Sequence, residues 1–149
     1  MADNYFYIPK HFKIYELVPK DLFEHYKKRQ YYLWGLFDYR TLVTADNLRK
    51  RYGKMTINDW YWGGSNQYRG FRPPDCTVGA ALSQHKMARA LDMIPKSTDA
   101  YRIRNDILND SYHEDFKYIT CLEIDISWLH FDVRNYDKQK NGILQVIRP

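Results

Sequence analysis

The chain has 149 residues, a length that suits one domain over residues 1–149 with its own hydrophobic core and an N-terminal arm of about residues 1–20. Its formal net charge of +5 includes basic clusters at residues 27–29 and 49–51. No nucleic-acid-binding motif accompanies these clusters, so nucleic acid is not the expected partner. No apolar run approaches the roughly 20 residues that span a bilayer, so membrane insertion is not expected.

The first part of the chain predicts mainly helices. Residues 12–18 alternate loosely between apolar and polar types, which indicates a short strand or a docking arm. Asp21 is then expected to cap a helix. Apolar residues recur at helical spacing within residues 38–52, which predicts a second helix that is capped by its first residue or by Thr41 and ends at Gly53.

The second part of the chain predicts mainly strands. Residues 55–62 are rich in Thr, Ile and aromatic residues and are followed by turn residues at 63–66, so they are expected to form a strand. Ser97 or Thr98 is expected to open a helix that runs to about Leu108. Further strands are predicted at residues 117–126, 130–134 and 143–147, with Asn141-Gly142 as the turn between the last two. The mixture predicts an α+β fold with a small antiparallel sheet and flanking helices.

Two imidazoles and one carboxylate, from His85, Asp92 and His130, are the candidate metal ligands. A catalytic zinc site usually takes three nitrogen or oxygen side chains and keeps a fourth position open, whereas a structural site closes with four ligands that are often thiolates. The chain has only two cysteines, so a four-cysteine site is impossible. We therefore predict a Zn²⁺ site of the open, catalytic type.

The spacing of these ligands also predicts local structure. If residues 85–92 formed one straight helix, His85 and Asp92 would lie roughly 10 Å apart along its axis, which is awkward for a single ion. We therefore expect a turn after His85 and a strand that carries Asp92. His130 should come from an adjacent strand, with Phe131 on the opposite face of the sheet.

The order of several short motifs resembles a known family. Ser83-x-His85 is followed by small residues and Asp92, then by Trp128-x-His130, while the segment Gly70-Phe71-Arg72-Pro73 lies upstream. This order is similar to that in the zinc D-alanyl-D-alanine carboxypeptidases and L-alanyl-D-glutamate endopeptidases, whose fold hedgehog signalling domains share. The resemblance covers about residues 56–135.

The resemblance implies a hedgehog/DD-peptidase-like fold in which His85, Asp92 and His130 bind zinc. Arg72 would face the substrate carbonyl or the oxyanion formed from it. The implied function is hydrolysis of peptidoglycan stem peptides by a monomeric, endolysin-like enzyme of phage or prophage origin. Since residues 1–5 carry no secretory signal, such a protein would be made in the cytoplasm and reach the bacterial cell wall after release or as a virion component.

One departure from the family concerns the general base. Several carboxypeptidases of this type have a catalytic Glu three residues before the last zinc histidine, where this chain has Ser127. Glu123, Asp125 and Asp132 lie nearby in sequence, and Asp125 is the first choice for the base. Asp132 is favoured as a hydrogen-bond acceptor that orients a ligand. If no carboxylate reaches the reacting water, the chain is a catalytically silent zinc-binding or virion structural domain.

Overall fold

A computed structural model describes residues 6–141 and 144–149. It contains α-helices α1 to α5, which are Lys20–Tyr26, Gln30–Trp34, Tyr39–Tyr52, Ala100–Asn109 and Lys138–Asn141. Strands β1 to β5 are Met55–Thr56, Ala90–Pro95, Cys121–Glu123, Leu129–Asp132 and Gln145–Ile147. Short 3-10 helices are present at Ile14–Glu16, Trp60–Trp62 and Gln84–Met87. Among these described helices, none has the length and apolar character needed to cross a membrane.

The five strands form one sheet in the order β1-β2-β4-β3-β5. The expected α+β class is confirmed, but the expectation of a wholly antiparallel sheet is wrong because β5 pairs parallel to β3. In the chain, β4 and α5 both lie between β3 and β5, so the connection that joins this parallel pair is longer than the dozen or so residues it requires. The expected tight turn at Asn141-Gly142 includes Gly142, which lies outside the described residues, as does Ile143.

Strand β2 and strand β4 alternate between two faces. Leu91, Met93, Leu129 and Phe131 are fully buried in the hydrophobic core, where α3 packs on β2 and α4 packs on β4. Because successive side chains of a strand point to opposite faces, the intervening polar residues lie on the other face of the sheet. The core therefore fixes which side chains the sheet can present as a site.

The helix predicted at residues 38–52 is confirmed as α3. The carboxylate of Asp38 accepts a hydrogen bond from the Arg40 backbone N–H at 3.0 Å, as an N-cap does. Gly53 ends the helix with φ of +85°, a conformation that residues with a side chain rarely adopt. Leu42 and Leu48 face the core and are buried.

Three other sequence expectations need correction. Residues 12–18 form no strand. They contain the 3-10 helix Ile14–Glu16, and their apolar side chains are buried in the core, which agrees with the alternative expectation of a docking arm. Asp21 lies inside the first turn of α1, whose N-cap is Pro19. The strand expected at residues 55–62 stops at Thr56, because the Asn58 backbone N–H donates to the Glu16 carbonyl rather than to a neighbouring strand. The side chains of Asn58 and Trp60 donate to the Val18 carbonyl.

Two further elements are shorter than the sequence suggested. Helix α4 begins at Ala100 with Asp99 as its cap, since the Asp99 carboxylate accepts from the Arg102 backbone N–H at 2.8 Å. Strand β3 covers only Cys121–Glu123 of the expected residues 117–126. The loop that follows β3 is held from α4, where Arg104 donates to two of its backbone carbonyls.

Lys138 is a buried cation that ties α5 to the rest of the chain. Its Nζ donates to the backbone carbonyls of Ser111, Phe116 and Ile119 at 2.6, 3.3 and 2.9 Å. Burial lowers the pKa of Lys138 to about 8, so the group is mainly protonated at pH 7 and all three N–H bonds are used.

We expect Lys138→Met to lower the free energy of unfolding by about 1–3 kcal/mol, since it leaves buried carbonyls without donors. Urea unfolding at pH 7 measures the change. Lys140→Met, on the exposed side of the same helix, is the matched control and should change stability by less than about 0.5 kcal/mol. Equal stability of the two variants would contradict this role for Lys138.

Candidate metal centre

A row of polar residues crosses three neighbouring strands on the face away from the core. Asp92 of β2 pairs with His130 of β4, and His130 pairs on its other side with Glu123 of β3. Paired residues of adjacent strands project from the same face. The register therefore places two carboxylates on either side of one imidazole.

His85 reaches this row from a turn, as the ligand spacing predicted. It lies in the 3-10 helix Gln84–Met87, whose N-cap hydroxyl, Ser83 Oγ, accepts from the His85 backbone N–H at 3.2 Å. Ala88 then adopts a left-handed conformation with φ of 53°, and the chain reverses into β2. The small side chain of Ala88 suits a left-handed turn that is also buried.

The structure brings together all three predicted metal ligands. One ligand atom each from His85, Asp92 and His130 lies within 4.8 Å of the others, and all three residues are buried. Nδ1 of His130 is 2.8 Å and Nε2 of His85 is 3.3 Å from Oδ1 of Asp92. Such a group can hold a metal ion.

The outer nitrogen of each imidazole is fixed by an acceptor. Nδ1 of His85 donates to the Gly70 carbonyl at 2.8 Å, and Nε2 of His130 donates to Asp132 Oδ2 at 3.1 Å. The other two nitrogens, Nε2 of His85 and Nδ1 of His130, both face Oδ1 of Asp92 and are the ones that can bind a metal when they carry no proton. Asp132 thus has the orienting role that the sequence favoured.

A buried atom of His85 supports the metal interpretation. Within the described part of the chain, Nε2 of His85 has no hydrogen-bond partner, although the Asp92 carboxylate is close. A buried polar atom without a partner is uncommon in folded proteins and calls for an explanation such as an ion. Two imidazoles and a carboxylate with one such unsatisfied nitrogen fit a metal ion.

The electrostatics of the cluster follow from burial and close partners. Burial by itself lowers the pKa of His130, but hydrogen bonds to Asp132 and Asp92 outweigh it and raise that pKa to about 9. Burial raises the pKa of Asp92, but contacts with His130 and His85 reverse this effect and lower it. The pKa of Asp132 is also lowered, because hydrogen bonds from Arg134 and His130 outweigh its burial.

Arg72, the predicted substrate-facing residue, lies beside the metal ligands. Its Nη2 is 3.2 Å from Asp92 Oδ2, its Nε donates to the Tyr68 carbonyl at 2.7 Å, and its Nη1 is 3.5 Å from Ser83 Oγ. Only 11% of its side chain is exposed. These contacts hold the guanidinium in one position next to the cluster.

The cluster lies in a cavity of about 510 Å³. Its apolar walls include Val78, Leu82, Trp128 and Ile147. The charged residues of the lining, apart from the ligands, are Arg72, Glu123, Arg134 and Arg148. A cavity of this size can receive a short peptide segment.

The structure does not bring Asp125, the predicted base, into this cavity. Strand β3 ends at Glu123, and Asp125 lies in the following loop with φ of 63° and an exposed carboxylate 2.8 Å from Arg148 Nε. Ser127 and Asp125 both line a separate cavity.

Glu123 is the carboxylate that the fold does place at the metal ligands. Its Oε2 is 3.7 Å from His130 Nδ1, and its side chain is 17% exposed. The sequence signal for Glu123 was its position among the acidic residues before His130, but its pairing with His130 depends on the register of β3 with β4.

The chain was compared with models of protein families, with curated proteins and with solved structures, and none of them matches it.

Gly70 is needed for the orientation of His85. A Cβ on Gly70 would overlap the Leu17 carbonyl oxygen, so the Gly70 carbonyl that accepts from His85 would have to move. We expect Gly70→Ala to weaken metal binding about 10- to 100-fold, the usual effect of losing a group that orients a ligand. Titration with Zn²⁺ against a competing chelator measures the affinity. Gly35→Ala, where a Cβ meets only ordinary contacts, is the control; equal affinities for the two variants would refute this role.

The raised pKa of His130 predicts a pH-dependent affinity for metal. A metal needs the neutral form of Nδ1, and this nitrogen carries a proton below a pKa of about 9. Metal binding therefore releases a proton, and the affinity should rise about tenfold per pH unit from pH 7 toward pH 9 and then level off. Chelator-buffered Zn²⁺ titrations across this range measure the slope. Asp132→Asn, which removes a cause of the raised pKa, should level off at lower pH; an identical pH profile in that variant would contradict the assignment.

Proposed function

We propose that this protein is a zinc-dependent peptidase that hydrolyses peptide bonds of peptidoglycan stem peptides, an endolysin-like enzyme of phage or prophage origin that acts at the bacterial cell wall. The observation that carries the proposal is the convergence of His85 Nε2, Asp92 and His130 Nδ1 in one cavity with Arg72 and Glu123. This set contains ligands, a proton carrier and a fixed cationic donor, which are the groups that metal-assisted hydrolysis needs.

The donor set favours zinc over the common alternatives. Mg²⁺ and Ca²⁺ prefer sites made of oxygen ligands, whereas two imidazoles with one carboxylate form a typical three-ligand zinc site. A bound zinc ion supplies Lewis-acid chemistry that polarises a carbonyl and activates water. Hydrogen bonds to the Gly70 carbonyl and to Asp132 orient the rings of His85 and His130 for the ion, and binding at His130 Nδ1 requires the loss of its proton.

Glu123 is the group best placed to take up and return a proton. Its carboxylate is close to His130 and lines the cavity, and it stands in the cross-strand row with the ligands. A general base must lie within reach of the water that it deprotonates, and Glu123 meets this condition better than Asp125, which lines another cavity.

Arg72 is suited to stabilising developing negative charge. Four hydrogen bonds hold its guanidinium before substrate arrives; the acceptors are the carbonyls of Tyr68 and Val78, Ser83 Oγ and Asp92 Oδ2. A donor that is fixed in advance stabilises an oxyanion without the cost of reorganisation. The Gly-aromatic-Arg segment at residues 70–72, which resembles the same segment of the family, supports this role and the choice of a peptide substrate.

A catalytically silent zinc-binding or virion structural domain is the second candidate. It is favoured by Ser127, which occupies the position where similar carboxypeptidases have a catalytic Glu and which cannot act as a base. The two candidates differ in a single property, hydrolysis, since both need the metal ligands.

The deciding experiment combines metal analysis with hydrolysis of purified peptidoglycan, in which mass spectrometry identifies the released termini. The peptidase proposal expects about one zinc per chain and cleaved stem peptides. His85→Ala should lose both. Stoichiometric zinc without cleavage would favour the silent domain, and absence of zinc would overturn both candidates.

Substitutions of Glu123 and Asp125 test which of the two carboxylates is the general base. We expect Glu123→Gln to lower kcat by about 10²- to 10⁴-fold while zinc binding is retained, because the ligands are intact and only the proton carrier is lost. Asp125→Asn, the control on the adjacent loop, should change kcat by less than about twofold. Loss of activity in Asp125→Asn with normal activity in Glu123→Gln would reverse the assignment.

A further inference from the structure

An apolar pocket lies between α1, α2 and the segment that contains Arg72. Its volume is about 620 Å³, which is the size of a small-molecule site. Its apolar walls come from three segments: Leu22 and Tyr26 of α1, Leu33 and Leu36 of α2, and Phe71 with Pro73. Among the described residues, none lines both this pocket and the metal-centre cavity, so the two are separate.

Backbone contacts fix the wall that separates the pocket from the metal centre. The Phe71 backbone N–H donates to the Leu17 carbonyl at 2.7 Å, and the Arg72 backbone N–H donates to the His85 carbonyl at 3.1 Å. Arg72 lines the metal-centre cavity, whereas Phe71 and Pro73 line the pocket. A pocket whose walls are in place before binding takes up a ligand at a low cost of reorganisation.

The charge of the pocket is positive. Among the described residues, Arg29 is the only charged side chain of the lining, and it has no ion-pair partner. The neighbouring Lys27, in contrast, pairs with Glu24 at 2.9 Å. An unpaired guanidinium beside apolar walls complements an anionic group that is attached to an apolar body.

The chemistry of the walls favours a hydrocarbon chain over a peptide. The polar side-chain groups of the lining are the guanidinium of Arg29 and the hydroxyls of Tyr26 and Tyr32. A bound peptide would bury N–H and C=O groups that need hydrogen-bond partners, whereas a hydrocarbon chain has none to satisfy. Tyr32 and Leu36 are 50% and 44% exposed, so a ligand can enter from solution.

We propose that this pocket binds a single-chain amphiphile with an anionic head group. The chain lies against Leu33, Leu36 and Phe71, and the head group pairs with the guanidinium of Arg29, which can bind a carboxylate through two parallel hydrogen bonds. The inference does not depend on the proposed peptidase function, because it uses no residue of the metal-centre cavity.

Calorimetry with hexanoate, octanoate and decanoate, each below its micelle concentration, tests the proposal. The Kd should fall about fourfold for each added methylene, since each buried methylene adds a similar transfer free energy. Decyltrimethylammonium, which joins a chain of the same length to a cation, should bind more weakly than decanoate. Arg29→Gln should raise the Kd of decanoate about three- to fivefold. Lys28→Gln removes the same charge from the adjacent residue outside the lining; this matched control should change the Kd less than about twofold.

A second pair of variants tests the location of the site. Leu36→Glu places a carboxylate in the pocket and should raise the Kd of decanoate more than about tenfold. Leu108→Glu is the matched control, because Leu108 on α4 is 43% exposed against 44% for Leu36. Circular dichroism verifies that both variants are folded.

Several outcomes would overturn the inference. They are a Kd that does not depend on chain length, equal binding of the cationic amphiphile, equal effects of Arg29→Gln and Lys28→Gln, and equal effects of Leu36→Glu and Leu108→Glu. Cosedimentation with phosphatidylglycerol vesicles tests a bilayer surface as the alternative occupant. A protein that binds these vesicles but not decanoate, or that binds neither, also contradicts the proposal.

Discussion

The antiparallel pairing of β2 with β4 is the constraint on which the site depends. It sets Asp92 opposite His130, while their neighbours Leu91 and Phe131 pair on the other face and are buried in the core. A shift by one residue would turn the polar pair into the core and the apolar pair into the cavity, at a large cost in buried apolar area. The hydrophobic core thus protects the geometry of the candidate metal ligands.

Around this pairing runs a chain of alternating charges, from Arg72 through Asp92, His130 and Asp132 to Arg134. Buried charges are costly when they lack partners and are tolerated when each is paired and hydrogen-bonded. Here Asp92, His130 and Asp132 each have an ionic partner on both sides. The two arginines at the ends each pair with one aspartate. The arrangement keeps both aspartates ionised and fixes the orientation of the imidazole between them, because each ring nitrogen faces a carboxylate.

The sequence predicted the local structure around the candidate ligands His85 and Asp92, because only seven positions separate them in the chain. A straight helix from His85 to Asp92 would hold the two residues too far apart to bind one ion easily. The sequence therefore predicted a turn followed by a strand, and both are present. The caps of α3 and the alternation of apolar and polar side chains in β4 are likewise predictable from neighbouring residues. The proposed proton carrier could not be chosen in this way. Glu123 and Asp125 are two residues apart, so a continuous strand would place both side chains on the same face, and only the end of β3 at Glu123 separates them.

By itself, the sequence predicted the α+β class and the turn after His85 from patterns within short segments, and it favoured an orienting role for Asp132, two residues after His130. It offered His85, Asp92 and His130 as candidate ligands from the order of motifs along the chain, since Asp92 and His130 are 38 residues apart. The tertiary structure alone decided that Glu123 joins the cavity while Asp125 does not. It also decided that β5 lies parallel to β3 and carries Arg148 to the cavity mouth. These outcomes depend on where strands end and which strands pair, and both are settled by contacts between segments far apart in the chain.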